Sequence, residues 1–239
     1  MMPGRPAHPA AIDIGALRHA WPGEADILRI DRFHVAAGER VFLAGPSGSG
    51  KSTLLGLIAG ITPCQQGRVA ILGDPVGGMS PARRDAHRAA HIGVIFQLFN
   101  LVPYLSALEN TLLPLRFSPQ RAERVRRTGQ TPVTEARRLL DVLGLDETTL
   151  GKPATALSIG QQQRVAAARA LIGHPGLIIA DEPTSALDRE SRDGFIDLLN
   201  SECARTGAAL LFVSHDTALA AGFDRHVDLR DINRMAIAA

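Results

Sequence analysis

Eight consecutive residues in the first quarter of the chain match a phosphate-binding pattern. They are Gly45, Pro46, Ser47, Gly48, Ser49, Gly50, Lys51 and Ser52, in the form Gly-x-x-x-x-Gly-Lys-Ser/Thr, and Thr53 follows them. The glycines let backbone N–H groups turn inward around an anion, at the N-terminus of a helix whose dipole favours negative charge. We predict that Lys51 reaches the β and γ phosphates of a nucleotide and that the Ser52 hydroxyl holds Mg²⁺. A glycine-rich turn without a ligand is the alternative.

Two adjacent carboxylates follow a short apolar segment later in the chain. Residues 177–180 read Leu-Ile-Ile-Ala, which is typical of a strand covered on both faces, and Asp181 and Glu182 come next. Ligands of open α/β sheets bind at the carboxyl ends of the strands. We therefore predict that Asp181 belongs to the Mg²⁺ shell and that Glu182 orients or deprotonates an attacking water. By itself, an Asp-Glu pair is also a common solvated strand end.

A third segment, residues 157–161, reads Leu-Ser-Ile-Gly-Gln. Ser158 and Gln161 have the Ser-x-x-Gln spacing of a capping box at a helix start, and we predict a helix from Gln161 to about residue 172. The N-terminus of that helix presents free N–H groups and the positive end of a dipole to an anion. A helix cap with no ligand is the alternative interpretation.

The elements that must position these residues alternate between strands and helices. The patterns predict strands over 11–20, 27–36, 41–44, 67–73, 92–96, 177–180 and 210–213, and a helix over 52–60. Strands that alternate with helices favour an α/β core with a mostly parallel sheet. Residues 103–165 form an expected helical insert, residues 1–10 an expected disordered tail, and residues 11–239 an expected single domain. A run of six arginines within the insert favours a solvated helix face over a binding patch: Arg121, Arg124, Arg126, Arg127, Arg137 and Arg138.

Composition excludes several classes of protein. The 239 residues carry a net charge of +2, which is too small to indicate a nucleic-acid partner. The 26 basic residues include only two lysines, and one of them is Lys51. Cys64 and Cys203 have no metal-type spacing and are expected to be free thiols. No apolar run approaches the ~18 residues of a membrane span, so any membrane association is expected to come through a partner.

Taken in order, these motifs resemble the nucleotide-binding subunit of an ATP-binding-cassette (ABC) transporter over residues 11–232. The order is the phosphate loop, Gln97 after a strand, the segment 157–161, the Asp-Glu strand end, Ser185-Ala186-Leu187-Asp188, and His215 in Val-Ser-His-Asp. The resemblance implies an α/β P-loop NTPase core with a mostly parallel sheet, an N-terminal antiparallel β subdomain and a helical insert subdomain.

The resemblance also implies roles for single residues. Ser158, Gly160 and Gln161 contact the γ-phosphate held by the other subunit. His215 contacts the γ-phosphate in its own chain, and Gln97 contacts Mg²⁺ or the attacking water. Trp21, the only tryptophan, stacks on adenine, with core packing as the alternative. Ile159 departs from the family, which usually has glycine there; we expect its side chain to point away from the phosphate.

The expected function is an ATP-hydrolysing subunit, with ATP and Mg²⁺, that pairs as a homodimer or with a related subunit and drives an integral-membrane permease. The permease is expected to dock near residues 97–115, an apolar segment with few charges. The amino-acid sequence of this segment is similar to that of the lipoprotein-releasing, macrolide-exporting and cell-division branch of the family. That places the chain in the cytoplasm, on the inner face of the membrane. Export is the first hypothesis, and a mechanical switch on a non-transporting partner is the alternative. A cassette acting on DNA or ribosomes is disfavoured, because such proteins carry coiled-coil arms or paired cassettes.

Overall fold

The computed structural model of the chain describes residues 9–185, 187 and 189–237. Ala186 and Asp188, and all but two residues of the predicted N-terminal tail, lie outside this range. The strands are β1 (Ile12–Ala20), β2 (Asp26–Val35), β3 (Arg40–Ala44), β4 (Gln66–Ile71), β5 (Asp74–Pro75), β6 (Ile92–Ile95), β7 (Leu177–Asp181), β8 (Ala209–Val213) and β9 (Arg225–Asp228). The helices are α1 (Lys51–Ile58), α2 (Pro81–His91), α3 (Ala107–Phe117), α4 (Pro119–Arg127), α5 (Pro132–Val142), α6 (Glu147–Leu150), α7 (Ile159–Leu171), α8 (Arg189–Thr206) and α9 (Leu229–Ile232).

A five-stranded parallel sheet forms the centre of the fold. Its order is β6-β7-β8-β3-β9, and each of its described pairings is parallel. Successive side chains of a strand point to opposite faces, so Leu210 and Phe212 of β8 pack on the α7 and α8 side while Leu211 and Val213 pack on the α1 side. Burial on both faces explains why these strands are continuously apolar. The predicted α/β core with a mostly parallel sheet is confirmed.

An antiparallel sheet of order β2-β1-β4-β5 covers the α1 side of the core. Its inward residues, among them Ile12, Ile14 and Leu17 of β1, belong to the same apolar cluster as Leu54 and Leu57 of α1. The predicted N-terminal antiparallel subdomain is therefore present. Because both sheets pack on α1, the phosphate loop that precedes this helix is held by two layers of structure.

The helical region consists of α3 to α6, and α7 joins it to the parallel sheet. One side of α7 packs on α3 and α5, and it also contacts β6 and α8. The predicted limit of the helical insert at residue 165 falls inside α7, which continues to Leu171. The helix that begins at the 157–161 segment is thus shared between the helical region and the core.

The prediction of a solvated arginine face was wrong for three of its six members. Arg121 is only 2% exposed, and its guanidinium donates to the carbonyl oxygens of Ala170, Ile172 and Ile92 at 3.3, 3.0 and 2.6 Å. Burial, with a smaller effect from Arg124, lowers the pKa of Arg121 to about 9, so the group is charged at neutral pH. The guanidinium thereby satisfies free carbonyls at the C-terminal end of α7.

The other two are Arg124 and Arg138. Arg124 donates to the carbonyl oxygens of Gly173 and Ala90. Arg138 pairs with Glu135 and Glu202. The remaining three arginines, Arg126, Arg127 and Arg137, lie at the surface as predicted.

Within the described range, the longest helix is α8, and it is too polar to pass through a lipid bilayer; the same range contains no other helix that combines the necessary length and apolar character.

Candidate functional site

The phosphate loop connects β3 to α1 at the carboxyl edge of the parallel sheet. Gly48 and Gly50 have φ angles of 78° and 96°, values that residues with a side chain rarely adopt. Gly50 caps α1 without any side-chain hydrogen bond. A Cβ added at Gly48 would meet none of the described atoms within 4 Å. The loop therefore presents backbone N–H groups and a bare helix N-terminus to open space, which suits an anion.

The side chain of Lys51 is held above this loop by backbone carbonyl groups at the start of the loop. Its Nζ donates to the carbonyl oxygen of Gly45 at 2.6 Å and to that of Pro46 at 2.9 Å. These two bonds direct the ammonium group back across the loop opening. The cation thus lies where a phosphate bound by the loop would need its charge neutralised.

A cavity of about 630 Å³ opens beside the loop and brings most of the predicted residues together. Its lining comprises Ile27, Ser47, Gly48, Gly50, Lys51, Ser52, Thr53, Gln97, Asp181, Glu182, Ser185 and His215. Gly45 does not line the cavity, but its carbonyl oxygen accepts a hydrogen bond from Lys51, which does. Pro46 and Ser49 line a separate hollow on the other side of the loop. Ile27 and Ser185 were not predicted as cavity residues; Ile27 was predicted only as the first residue of a strand over 27–36.

Asp181 and Glu182 come at the carboxyl end of β7. Burial, reinforced by the neighbouring Glu182 and opposed by Lys51, raises the pKa of Asp181 above its usual value. Glu182 has a φ of 46° and its N–H donates to the carbonyl oxygen of Val213 at 2.9 Å. The end of β7 is thereby bonded to the end of β8, which places the second carboxylate next to the segment that carries His215.

His215 contacts Glu182 directly. Its Nδ1 lies 2.9 and 3.0 Å from the two carboxylate oxygens and donates to them. The His215 side chain is largely exposed, whereas that of Glu182 is mostly buried. The next residue, Asp216, accepts a 2.6 Å hydrogen bond from Arg192 of α8 and caps the helical turn after it. The imidazole therefore joins the buried carboxylate to the open side of the cavity.

The oxygen donors present fit a magnesium ion. Ser52, Gln97 and Asp181 line one cavity and offer a hydroxyl, an amide oxygen and a carboxylate, which are hard ligands. The raised pKa of Asp181 reflects a buried carboxylate that lacks sufficient positive charge, and a divalent cation would supply it. No three His, Cys, Asp or Glu side chains gather into a metal cage in the described part of the chain. An ion held here would thus need further oxygens from water or from a bound phosphate.

The capping box predicted at Ser158 is present. Ser158 Oγ accepts from the Gln161 N–H at 3.3 Å, and Gln161 Oε1 accepts from the Ser158 N–H at 3.0 Å. The helix begins at Ile159, two residues earlier than predicted. Ile159 is 56% exposed, so its side chain does not fill the protein interior beside the cap.

The structure does not bring Ser158, Gly160 and Gln161 to the cavity beside Lys51, whose lining comes from the phosphate loop and from the ends of β2, β6, β7 and β8. A Cβ added at Gly160 would lie 3.6 Å from Leu187, at the start of the segment that leads to α8. The cap of α7 therefore belongs to a different part of the same chain's surface.

Trp21 lies at the end of β1, 42% exposed, with its ring edge-on to His19 at a centroid distance of 5.2 Å. It lines a second cavity, of about 330 Å³, that shares Ser52, Thr53 and Asp181 with the first. The core-packing alternative is wrong for Trp21, because nearly half of the indole is open to solvent. Its partial exposure beside Thr53 leaves stacking on a base available to it.

Comparison with known proteins decides the family. The profile described as "ABC transporter" matches residues 28–185, which is more than half of the chain. The chain belongs to the ABC transporter family. It is 43% identical to the uncharacterised ABC transporter ATP-binding protein YbbA of Escherichia coli K12 over 84% of this chain and 85% of that protein. It is 40% identical to the lipoprotein-releasing system ATP-binding protein LolD 2 of Rhodospirillum rubrum over 87% of each.

Solved structures agree with this assignment. The dimeric post-hydrolysis structure of the ATP-binding cassette MJ0796 bound to ADP and Pi superposes with a TM-score of 0.80 at 32% identity, covering 91% of this chain and 93% of that one. This ABC chain is accordingly an ATP-binding subunit of a transporter and an ATPase. The resemblance drawn from its motifs is confirmed, including its similarity to the lipoprotein-release branch.

Proposed function

We propose that this ABC subunit hydrolyses ATP at a site shared by two copies of the chain. The observation that carries the proposal is the division of the motifs. The phosphate loop, Gln97, Asp181, Glu182 and His215 surround one cavity, whereas the capped start of α7 lies elsewhere on the surface. The N-terminus of α7 can bind an anion but lies away from the cavity of its own chain, so it suits a phosphate bound by a partner chain. The relative MJ0796 has been crystallised as a dimer with ADP and Pi.

The proposed roles within one chain are supported by the positions of the residues around the cavity. The backbone N–H groups of the loop after Pro46, which has none to give, hold the phosphates of ATP, and Lys51 neutralises their charge. Thr53 and Trp21 line the approach to the base. Glu182, on the buried side of the cavity, orients the attacking water and accepts its proton, while His215 moves from Glu182 to the γ-phosphate when the nucleotide is bound.

Ser52, Gln97 and Asp181 are the proposed magnesium ligands. When bound, the ion supplies positive charge to the phosphate oxygens. The negative charge and partial burial of Asp181 are what this chain contributes to holding it.

An apolar surface between α2 and α3 is the proposed docking site of the membrane subunit. Leu98 is 83% exposed, and Tyr104 and Phe117 are also largely in solvent. A groove beside them is lined by Ile61, Phe96, Leu113 and Pro114, among others. It lies directly beyond Gln97, so a partner in the groove touches the segment that reaches the proposed magnesium site. This arrangement supports a peripheral position on the inner membrane face, through the permease.

We favour export or extrusion as the transport direction, because several relatives of 35–41% identity are named lipoprotein-releasing subunits. This chain would then power a permease that removes a substrate from the membrane. Reconstitution with its partner permease tests this part: ATP-dependent release of substrate supports export, and ATP turnover without movement of any substrate favours the mechanical switch.

The variant Glu182→Gln tests the catalytic assignment. We expect its ATP turnover to fall by about 10²-fold or more, because the amide cannot accept a proton, while ATP binding is retained. Phosphate release and ATP binding are measured on the same purified preparation. Glu147→Gln, an exposed glutamate paired with Arg137, is the matched control. Wild-type turnover by Glu182→Gln would show that another group activates the water.

A further inference from the structure

Asn233 is a buried polar residue behind the phosphate loop that the sequence did not single out. Only 2% of it is exposed, and its carboxamide makes four contacts with the backbone. Nδ2 donates to the carbonyl oxygen of Ile27 at 3.0 Å and, at a longer 3.4 Å, to that of Ser49. Oδ1 accepts from the Arg29 N–H at 2.8 Å and from the Met235 N–H at 3.3 Å.

These contacts fix the orientation of the amide. Two carbonyl oxygens face the nitrogen and two N–H groups face the oxygen, so a rotated amide would set donors against donors. Asn233 therefore forms hydrogen bonds with the backbone of β2 and with the backbone of the phosphate loop. The two carbonyl groups that accept its hydrogens lie at or next to the cavity beside Lys51: Ile27 lines the cavity, and Ser49 lies between Gly48 and Gly50, which also line it.

The same C-terminal segment supports the other end of the loop. β9 runs parallel to β3, with Asp228 beside Ala44, the last residue before the loop. Leu229 follows, and its Cβ would lie 3.2 Å from a Cβ added at Gly45. Residue 233 also bridges Ile30 of β2, and Arg234 pairs with Asp31 next to it. The segment 228–235 thus touches the phosphate loop at its beginning and near its end, and is tied to β2 in between.

We propose that Asn233 is a positioning residue of the nucleotide site. It holds the Ser49 carbonyl and the Ile27 carbonyl at a fixed separation, and this sets the loop opening before ATP arrives. Preorganisation of this kind acts on binding, because a loop that must be ordered by its ligand binds it more weakly. The inference rests on the proposed nucleotide site and adds a residue that is not part of the lining of the cavity beside Lys51.

Two substitutions at residue 233 distinguish the loss of the Nδ2 hydrogen bonds from the effect of a new charge. Asn233→Asp keeps the acceptor for Arg29 and Met235 but removes both Nδ2 donors. Asn233→Leu is similar in size and neutral, and it removes them as well. For the purified chain we expect the dissociation constant of ADP with Mg²⁺, measured by titration calorimetry, to rise about tenfold in both variants, the scale of one to two lost hydrogen bonds. We expect ATP turnover at saturating ATP to stay within about twofold of wild type, since no group that contacts the reacting atoms changes.

Asn200→Asp is the matched control for the loss of a buried amide donor. Asn200 is also buried, and its Nδ2 donates to the Gly222 carbonyl at 3.2 Å, on α8 and away from the loop. We expect it to lower Tm without changing ADP affinity. If the Asn233 variants likewise lose Tm and keep wild-type affinity, or if only Asn233→Asp binds more weakly, the proposal is wrong. Lys51→Ala tests the site itself: ADP binding by this variant equal to wild type would overturn the proposed nucleotide site, whatever Asn233 does.

Discussion

The ionised Asp181 side chain lowers the folding stability of the nucleotide-free chain. Burial and the adjacent Glu182 raise its pKa, so its ionised form is less favourable in the folded chain than in the unfolded one. A carboxyl group of this kind lowers stability at pH values above its folded pKa. Below its unfolded value of about 3.8 the group is protonated in both states and the cost disappears. Residues that bind charged ligands commonly carry such a cost.

Asp181→Asn is therefore expected to raise Tm at pH 7 in the presence of EDTA, by about 2–4 °C for each kcal/mol relieved in a chain of this size, and to abolish magnesium-dependent ATP turnover. The gain should shrink as the pH falls towards 4. Asp141→Asn, at an exposed position on α5, should change neither quantity. An unchanged or lower Tm for Asp181→Asn at pH 7 would contradict the inferred cost.

At the scale of elements, an ion-pair network around two buried glutamates, Glu135 and Glu202, connects α5 to α8. Arg138 of α5 lies 2.8 Å from Glu135 and 2.9 Å from Glu202 of α8, and Glu202 also pairs with Arg205. His174, in the turn between α7 and β7, lies 3.2 Å from Glu135. Although burial acts in the opposite direction, the hydrogen bonds from His174 and Arg138 lower the pKa of Glu135 to about 2.

This network predicts a specific loss of stability in acid. The folded pKa of Glu135 is below its unfolded value, so its contribution is complete above about pH 4.5 and declines as the pH falls towards 2, by up to about 1.4 kcal/mol per pH unit. Glu135→Gln should be less stable than wild type at pH 6, by roughly 3 kcal/mol, and the difference should narrow at pH 3.5. Urea unfolding at the two pH values measures it. Glu123→Gln, whose partners Arg126 and Arg127 are exposed, should leave stability almost unchanged at either pH, because solvent screens such a pair.

Several elements were predictable because their causes are local in sequence. The strand that ends at Asp181 is continuously apolar over 177–180, and the cap at Ser158 depends on a residue three positions away. Arg121 shows where local patterns fail. The run of arginines in α4 and α5 has the composition of a solvated face, yet Arg121 meets carbonyl groups 29 to 51 residues distant. Asn233 is the same case at the site, because its partners at Ile27 and Ser49 are about 200 positions away. Contacts of that range are set by packing, which no spacing pattern records.

At the scale of the whole molecule, the two parts of the proposed reaction centre lie on two separate surfaces of the same chain. One surface has the cavity with Lys51, Asp181 and Glu182, and another has the free start of α7. If two chains pair by a two-fold axis, each cavity faces the partner's α7, and the dimer contains two equivalent sites. In a homodimer of either variant, a substitution in the cavity or at Ser158 would then affect both sites. In a mixed dimer of the two variants, both substitutions would fall on one site and the other site would be intact.

Two inactive variants should therefore restore activity when mixed. Lys51→Ala removes phosphate binding, and Ser158→Asp keeps a capping side chain while placing a negative charge where the partner's γ-phosphate is expected. Each alone should lose ATP turnover. An equimolar mixture should regain about a quarter of the wild-type rate, because half of randomly paired dimers are mixed and each holds one intact site. Thr131→Asp, at the cap of α5, is the control for a new charge at a helix start and should retain full turnover. A mixture no more active than the sum of its parts would mean that the two surfaces do not share a site.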